Sequence, residues 1–89
     1  MIKNGSRGED VTALQNNLKR LGFNVEPDGI FGPDTDRAVR NLQEMFGYSV
    51  DGMVGPGTEK LIAAQISYGW NVNAPDAKEK AAKAQGAKK

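Results

Sequence analysis

One eight-residue phrase occurs twice in this chain, as DGIFGPDT at residues 28–35 and as DGMVGPGT at residues 51–58. Asp-Gly specifies a tight turn, because glycine takes positive φ without a Cβ clash and the aspartate side chain accepts neighbouring backbone N–H groups. Gly-Pro then opens a helix, since proline at the first helical position gives up only an N–H that has no helical partner. Between the two signals, Phe31 and Val54 set an apolar side chain just ahead of each helix, where it pins the corner to a core. Each phrase therefore reads as a corner leading into a helix, and the fold must contain two equivalent corners.

The flanking residues extend the repeat. VTALQNNL at 11–18 matches VRNLQEMF at 39–46, an offset of 28 residues. Each of these segments leads to Gly, an aromatic, a polar residue and Val: GFNV at 22–25 and GYSV at 47–50. Val11, Leu14, Leu18 and Leu21 recur at helical spacing, which predicts a first helix over about 9–21 with Gly22 as its stop. Ser6 and Glu9 have the spacing of a capping box. A second helix is predicted from Pro33, with Ala38, Val39, Leu42 and Phe46 inward, and a third from Pro56, with Leu61, Ile62 and Ile66 inward. The expected fold is all-α: a compact three-helix bundle with an internal helix–corner–helix repeat. Two such units bury their apolar stripes against each other.

Composition removes several functions. The 89 residues include no cysteine and no histidine, so thiolate metal sites, disulfides and the commonest general base are absent. An EF-hand reading of the Asp-Gly loops fails, because position twelve counted from Asp28 is Val39 rather than Glu. No cofactor or metal is expected. No apolar run approaches the ~20 residues that span a bilayer, and the N-terminus lacks the apolar core of a secretory signal. Residues 1–75 carry seven Lys and Arg against nine Asp and Glu, net −2, while residues 76–89 carry five lysines against two acids, net +3. An acidic folded part argues against specific nucleic-acid binding. The last segment, 71–89, is Ala- and Lys-rich without an apolar stripe, and is expected to be a disordered tail or linker beyond a domain at 1–70.

The pattern Gly8-x-x-Val11-x-x-Leu14-Gln15-x-x-Leu18, then Asp28-Gly29-x-Phe31-Gly32-x-x-Thr35 with Leu42-Gln43, then Asp51-Gly52-x-Val54-Gly55-x-x-Thr58, resembles the peptidoglycan-binding domain family of three-helix modules. The similarity runs from about Gly5 to Ile66, with Leu42 standing where an aromatic is usual. The resemblance implies non-catalytic attachment to bacterial cell-wall peptidoglycan, through glycan or stem peptide. It also implies a linked catalytic domain of the kind found in lytic transglycosylases, amidases, muramidases and phage endolysins. It implies a monomeric module working at the cell wall, in the periplasm or outside the cell, delivered by a longer parent protein or by lysis, and not at a membrane.

The motif residues Asp28, Gly29, Phe31, Gly32, Thr35, Asp51, Gly52, Val54, Gly55 and Thr58 all have structural tasks, so a ligand must be read by other groups. Arg37, Arg40, Gln43, Asp36, Asn24 and Tyr48 lie on or beside the second helix and are the candidate ligand-binding set. Arg37 and Arg40, one helical step apart, fit a clamp for a stem-peptide carboxylate, or else a solvated face paired with Asp36 or Glu44. Tyr68 and Trp70, flanking Gly69, fit either a sugar-stacking platform or a cap over an open end of the bundle. A two-carboxylate glycan hydrolase has candidates in Glu9, Asp34, Asp36 and Glu59, but these occupy first turns, where the helix dipole favours ionisation over the raised pKa a general acid needs. A third class is a protein-binding module. Inhibition through a cysteine on zinc, as in the similar metalloprotease propeptides, is closed to a chain without cysteine, while a protein-interaction role in a lysis or virion apparatus, holding an enzyme near the wall, stays open.

Overall fold

Helices form where the periodicity places them, and the computed structural model describes them within residues 2–88: α1 (Glu9–Arg20), α2 (Pro33–Met45) and α3 (Pro56–Tyr68). Glu9 and Asp10 lie at the positive end of α1 and Lys19 and Arg20 at its negative end, as the helix dipole prefers. Gly32 and Gly55 are extended N-caps, each followed by proline. The expected Ser6–Glu9 capping box does not form. Gly8 is the N-cap of α1, and Ser6 lies two residues too early, its Oγ accepting the Lys3 N–H at 3.1 Å.

The apolar stripes meet in one core built on Leu18, Val39, Leu42, Phe31 and Val54, all at most 1% exposed. Helix α1 lies against both α2 and α3. Ile66, expected inward, is only half-buried, on the flank of α3. The described residues contain no strand, but residues 2–8, which turn at Asn4 and Gly5, pass across both corners through two isolated bridges. Ile2 exchanges backbone hydrogen bonds with Val54 (3.2 and 2.7 Å), and Phe31 donates to the Ser6 carbonyl at 2.9 Å. The two equivalent apolar pins are thus tied to one short segment.

The largest departure from expectation is at the C-terminal end. Residues 77–88, expected to be disordered with nothing to bury, form a fourth helix, α4 (Ala77–Lys88), lying against α2. Its buried stripe is alanine. Ala77 and Ala81 are core residues and Ala84 is half-buried, at spacings of four and three. Alanine is so frequent from residue 77 onward that its period does not stand out. What α4 covers is Trp70, only 5% exposed, whose ring meets Phe46 edge-on at 5.1 Å and whose Nε1–H donates to the Ala77 carbonyl at 3.1 Å. Burying this indole is worth about 3 kcal/mol. The connecting turn is fastened as well: Val72 N–H donates to the Leu21 carbonyl at 2.7 Å and Asn73 Nδ2 to the Gly22 carbonyl at 2.8 Å. A radius of gyration of 12.2 Å, against about 12 Å for a folded chain of this length, agrees with a docked α4.

Candidate functional site

The two corners share one polar device. In the first, Gln15 of α1 is fully buried, and its Nε2 lies 3.0 Å from Asp28 Oδ1, 2.9 Å from the Ile30 carbonyl and 3.0 Å from Thr35 Oγ1. Its Oε1 accepts the Gly29 N–H at 2.8 Å. In the second, Gln43 of α2 repeats the set, with Asp51 Oδ1 at 3.0 Å, the Met53 carbonyl at 2.9 Å, Thr58 Oγ1 at 3.3 Å and the Gly52 N–H at 3.0 Å. A buried amide satisfied on both its atoms fixes a unique arrangement, because losing any partner strands a polar group away from water.

The aspartates complete the turns. Asp28 accepts the Ile30 N–H at 3.0 Å and Asp51 the Met53 N–H at 2.9 Å. Those backbone bonds, and then the glutamine amides, hold both carboxyls below the usual carboxylate range. Arg40 adds a smaller pull on Asp51. The glutamines and threonines are buried, whereas Asp28 and Asp51 are exposed with their carboxylates engaged in the turns.

A family model described as "Putative peptidoglycan binding domain" matches residues 7–62, both corners included. The chain belongs to that family. The spore cortex-lytic enzyme of Bacillus cereus is 44% identical over 69 residues, covering 76% of this chain and 27% of that enzyme. The N-acetylmuramoyl-L-alanine amidase CwlL of Bacillus licheniformis is 42% identical, over 72% of this chain and 19% of its own length. The chain thus spans about a quarter or less of these relatives. Among solved structures, the SleB N-terminal domain superposes with a TM-score of 0.70 at 44% identity, covering 73% of this chain and 90% of that one. A fused Zn-dependent amidase/peptidase with a peptidoglycan-binding domain, from Clostridium acetobutylicum, gives a TM-score of 0.67 at 41% identity, over 68% of this chain and 28% of its own.

Within this peptidoglycan-binding domain the candidate ligand-binding residues separate. Gln43 must be removed from the exposed set: it is 1% exposed and its amide is spent on the second corner. Its Leu-Gln context, shared with Gln15, is the signal that marks it as structural. Asp36, Arg37 and Arg40 do come together, lining an open groove of about 520 Å³ on α2 with Asn41, Glu44 and Val50. Within it Arg40 is committed to Asp36, Nε to Oδ2 at 3.0 Å, while Arg37 is exposed and has no ion-pair partner among the described residues. Asn24 is exposed and lines none of the described grooves. Tyr48 faces a different groove from the arginines, in company with Tyr68.

The structure also divides the Tyr68–Trp70 pair. Trp70 is the cap over the bundle end, whereas Tyr68 is 79% exposed. The acids considered for hydrolysis do not assemble: Glu9, Asp34 and Glu59 sit in the first turns of three different helices, and Asp36 is paired with Arg40. A further groove, between α1 and α3, has an apolar floor of Leu14, Val54 and Ile62 and an acidic rim of Asp10 and Glu59.

Proposed function

We propose that this chain is a non-catalytic module that fastens a cell-wall lytic enzyme to peptidoglycan. The observation that carries the reading is the family match over residues 7–62, which takes in both glutamine-locked corners. The relatives supply the context, because the shared region is a minor part of enzymes named as cortex-lytic or as amidases. A tethered module raises the effective concentration of its catalytic partner at an insoluble substrate without doing chemistry itself. Its place of work is then the cell wall, reached as part of a longer protein or after lysis.

Co-sedimentation of the full chain with purified insoluble sacculi, in low and in moderate salt, tests this. Pelleting that survives moderate salt is the expected result. Shortening the chain is a poor control, since α4 contributes Ala77 and Ala81 to the core. A variant with Lys78, Lys83 and Lys88 changed to Gln leaves Lys80 in place and removes the tail's net charge instead. If that variant stays in solution, or salt releases the wild type, adhesion is electrostatic and the reading fails. A fall in sacculus turbidity with pure protein sinks the non-catalytic part.

A further inference from the structure

The grooves differ in charge and in lining: one of about 620 Å³ on α1 carries Lys19 and Arg20 with no acid, but has no aromatic side chain and no large apolar one. The α1–α3 groove is rimmed by Asp10 and Glu59, and the α2 groove mixes Arg37 and Arg40 with Asp36 and Glu44. A fourth, about 460 Å³, lies where α3 meets the end of α2 and α4, and it alone of these four joins aromatic walls to a lining without acid. Phe46, Leu61, Ala64 and Ala84 form an apolar floor, Tyr48 and Tyr68 supply aromatic walls, and Lys60 is its cation. A smaller hollow of about 280 Å³ continues from it, shares Gln65, Tyr68 and Ala84, and reaches Trp70 and Lys80. The two form one trough with Tyr68 standing between them.

Tyr68 is the informative residue. At 79% exposed it is the most exposed of the large apolar or aromatic side chains among the described residues, whereas Trp70, two residues on, is buried in the core. Lys60 has no ion-pair partner among the described residues, whereas Lys80 is engaged by Asp76 at 3.4 Å. An aromatic face beside an apolar floor and one uncommitted ammonium suits a ligand with a flat C–H face and an acidic branch. An N-acetylated amino sugar bearing a lactyl-linked peptide has both.

We propose that this trough is the wall-contacting subsite: Tyr68 stacks on an amino sugar of the glycan strand, and Lys60 takes the carboxylate of its peptide branch. This rests on the wall-binding reading above. It also gives α4 a role, because Ala84 and Lys80 complete a trough that the family match, ending at residue 62, does not span.

The test compares sacculus binding by wild type, Tyr68→Ala, Lys60→Gln and Arg37→Gln, all full-length, with circular dichroism to confirm folding. Losing the tyrosine stack is expected to weaken binding about tenfold. Losing the ammonium is expected to weaken it about threefold, and more at low salt. Arg37→Gln is expected to bind as wild type. Titrating the 15N-labelled chain with soluble disaccharide–peptide fragments should shift the amides of Lys60, Tyr68 and Ala84, while the stem peptide without sugar should leave them in place. If Tyr68→Ala pellets as well as wild type and Arg37→Gln does not, the subsite moves to the α2 groove while the wall-binding reading stands. If peptide alone shifts the trough amides as strongly, stacking on sugar is wrong. If the wild type itself fails to pellet, both fall.

Discussion

The first and second corners are built from the same glutamine, the same Asp-Gly turn and the same threonine, yet they are covered differently. Over Gly29 lie Thr12 and the Gly8 carbonyl; over Gly52 lie Asp36 and Arg40. Gly8 and Asp36, like Thr12 and Arg40, are 28 residues apart, the offset that relates Gln15 to Gln43. Equivalent positions thus carry a backbone and a hydroxyl in one copy and an ion pair in the other. The N-terminal segment backs both corners, through Ile2 and Val54 at the second and at the first through Phe31 and through Gly8 N–H, which donates to the Gly29 carbonyl at 3.0 Å. The repeat conserves what points inward and varies what lies on top.

If the inward device is equivalent in both copies, Gln15→Ala and Gln43→Ala should be the two costliest corner substitutions and should cost alike. Each strands a buried backbone N–H and a threonine hydroxyl and leaves a cavity, for about 3 kcal/mol. Urea midpoints with unchanged m-values measure this. A difference above about 1 kcal/mol breaks the equivalence, and its sign shows which cover compensates.

The covers separate under a single methyl group. Gly29 and Gly52 both hold positive φ, +78° and +70°, so alanine costs about 1–2 kcal/mol at either from backbone strain alone. At Gly52 the new Cβ would also come within 2.6 Å of Asp36 Oδ1 and 2.9 Å of Arg40 Nε, against 3.0 Å from Thr12 Oγ1 at Gly29. Gly52→Ala is therefore expected to cost about 1 kcal/mol more, by displacing the ion pair. That excess should disappear when Arg40 is first changed to Ala; if it persists, the ion pair is not its source.

Acid treats the corners alike until salt is added. Both aspartates have folded pKa values below their unfolded ones, so each contributes stability that is present above about pH 4 and is lost as pH falls through the folded value. Thermal midpoints should drop between pH 5 and pH 2, and Asp28→Asn or Asp51→Asn should flatten the profile. Hydrogen bonds hold Asp28, whereas Asp51 also feels Arg40. High salt should then reduce the share that Asp51→Asn removes and leave the Asp28 share nearly unchanged. Equal salt sensitivity would discount the arginine.

These contrasts mark how far the residues speak for themselves. The corners were legible because glycine, proline and aspartate act locally, and both doubled phrases sit where the turn chemistry puts them. Gln43 was misplaced because a polar residue on a helix reads as exposed; only its equivalence to Gln15 reveals an inward task. Helix α4 was missed because alanine buries well but stands out little, and because its partner Trp70 becomes a core residue only once covered. The pairing of Ile2 with Val54 joins residues more than fifty positions apart and leaves no local trace. Of the candidate site, the chain order brought Asp36, Arg37 and Arg40 together, one helix face being enough. The trough needs α2, α3 and α4 at once, and no spacing rule encodes that.

The smallest expected effect is the most discriminating. Asp36 and Arg40 make a surface ion pair with side chains 25% and 48% exposed, a setting in which such pairs are worth about 0.5 kcal/mol. Arg40 also reaches the Asp51 carbonyl at 3.4 Å, a long bond that adds little. Arg40→Ala alone should therefore barely move the urea midpoint. If the pair is only a lid on the second corner, the same substitution should leave sacculus binding untouched and should rescue about 1 kcal/mol in the Gly52→Ala background. If instead Arg40→Ala lowers binding with the midpoint unchanged, the second copy has exchanged the hydroxyl of Thr12 for a residue that works on the ligand. The difference between the corners would then lie in function rather than in cover.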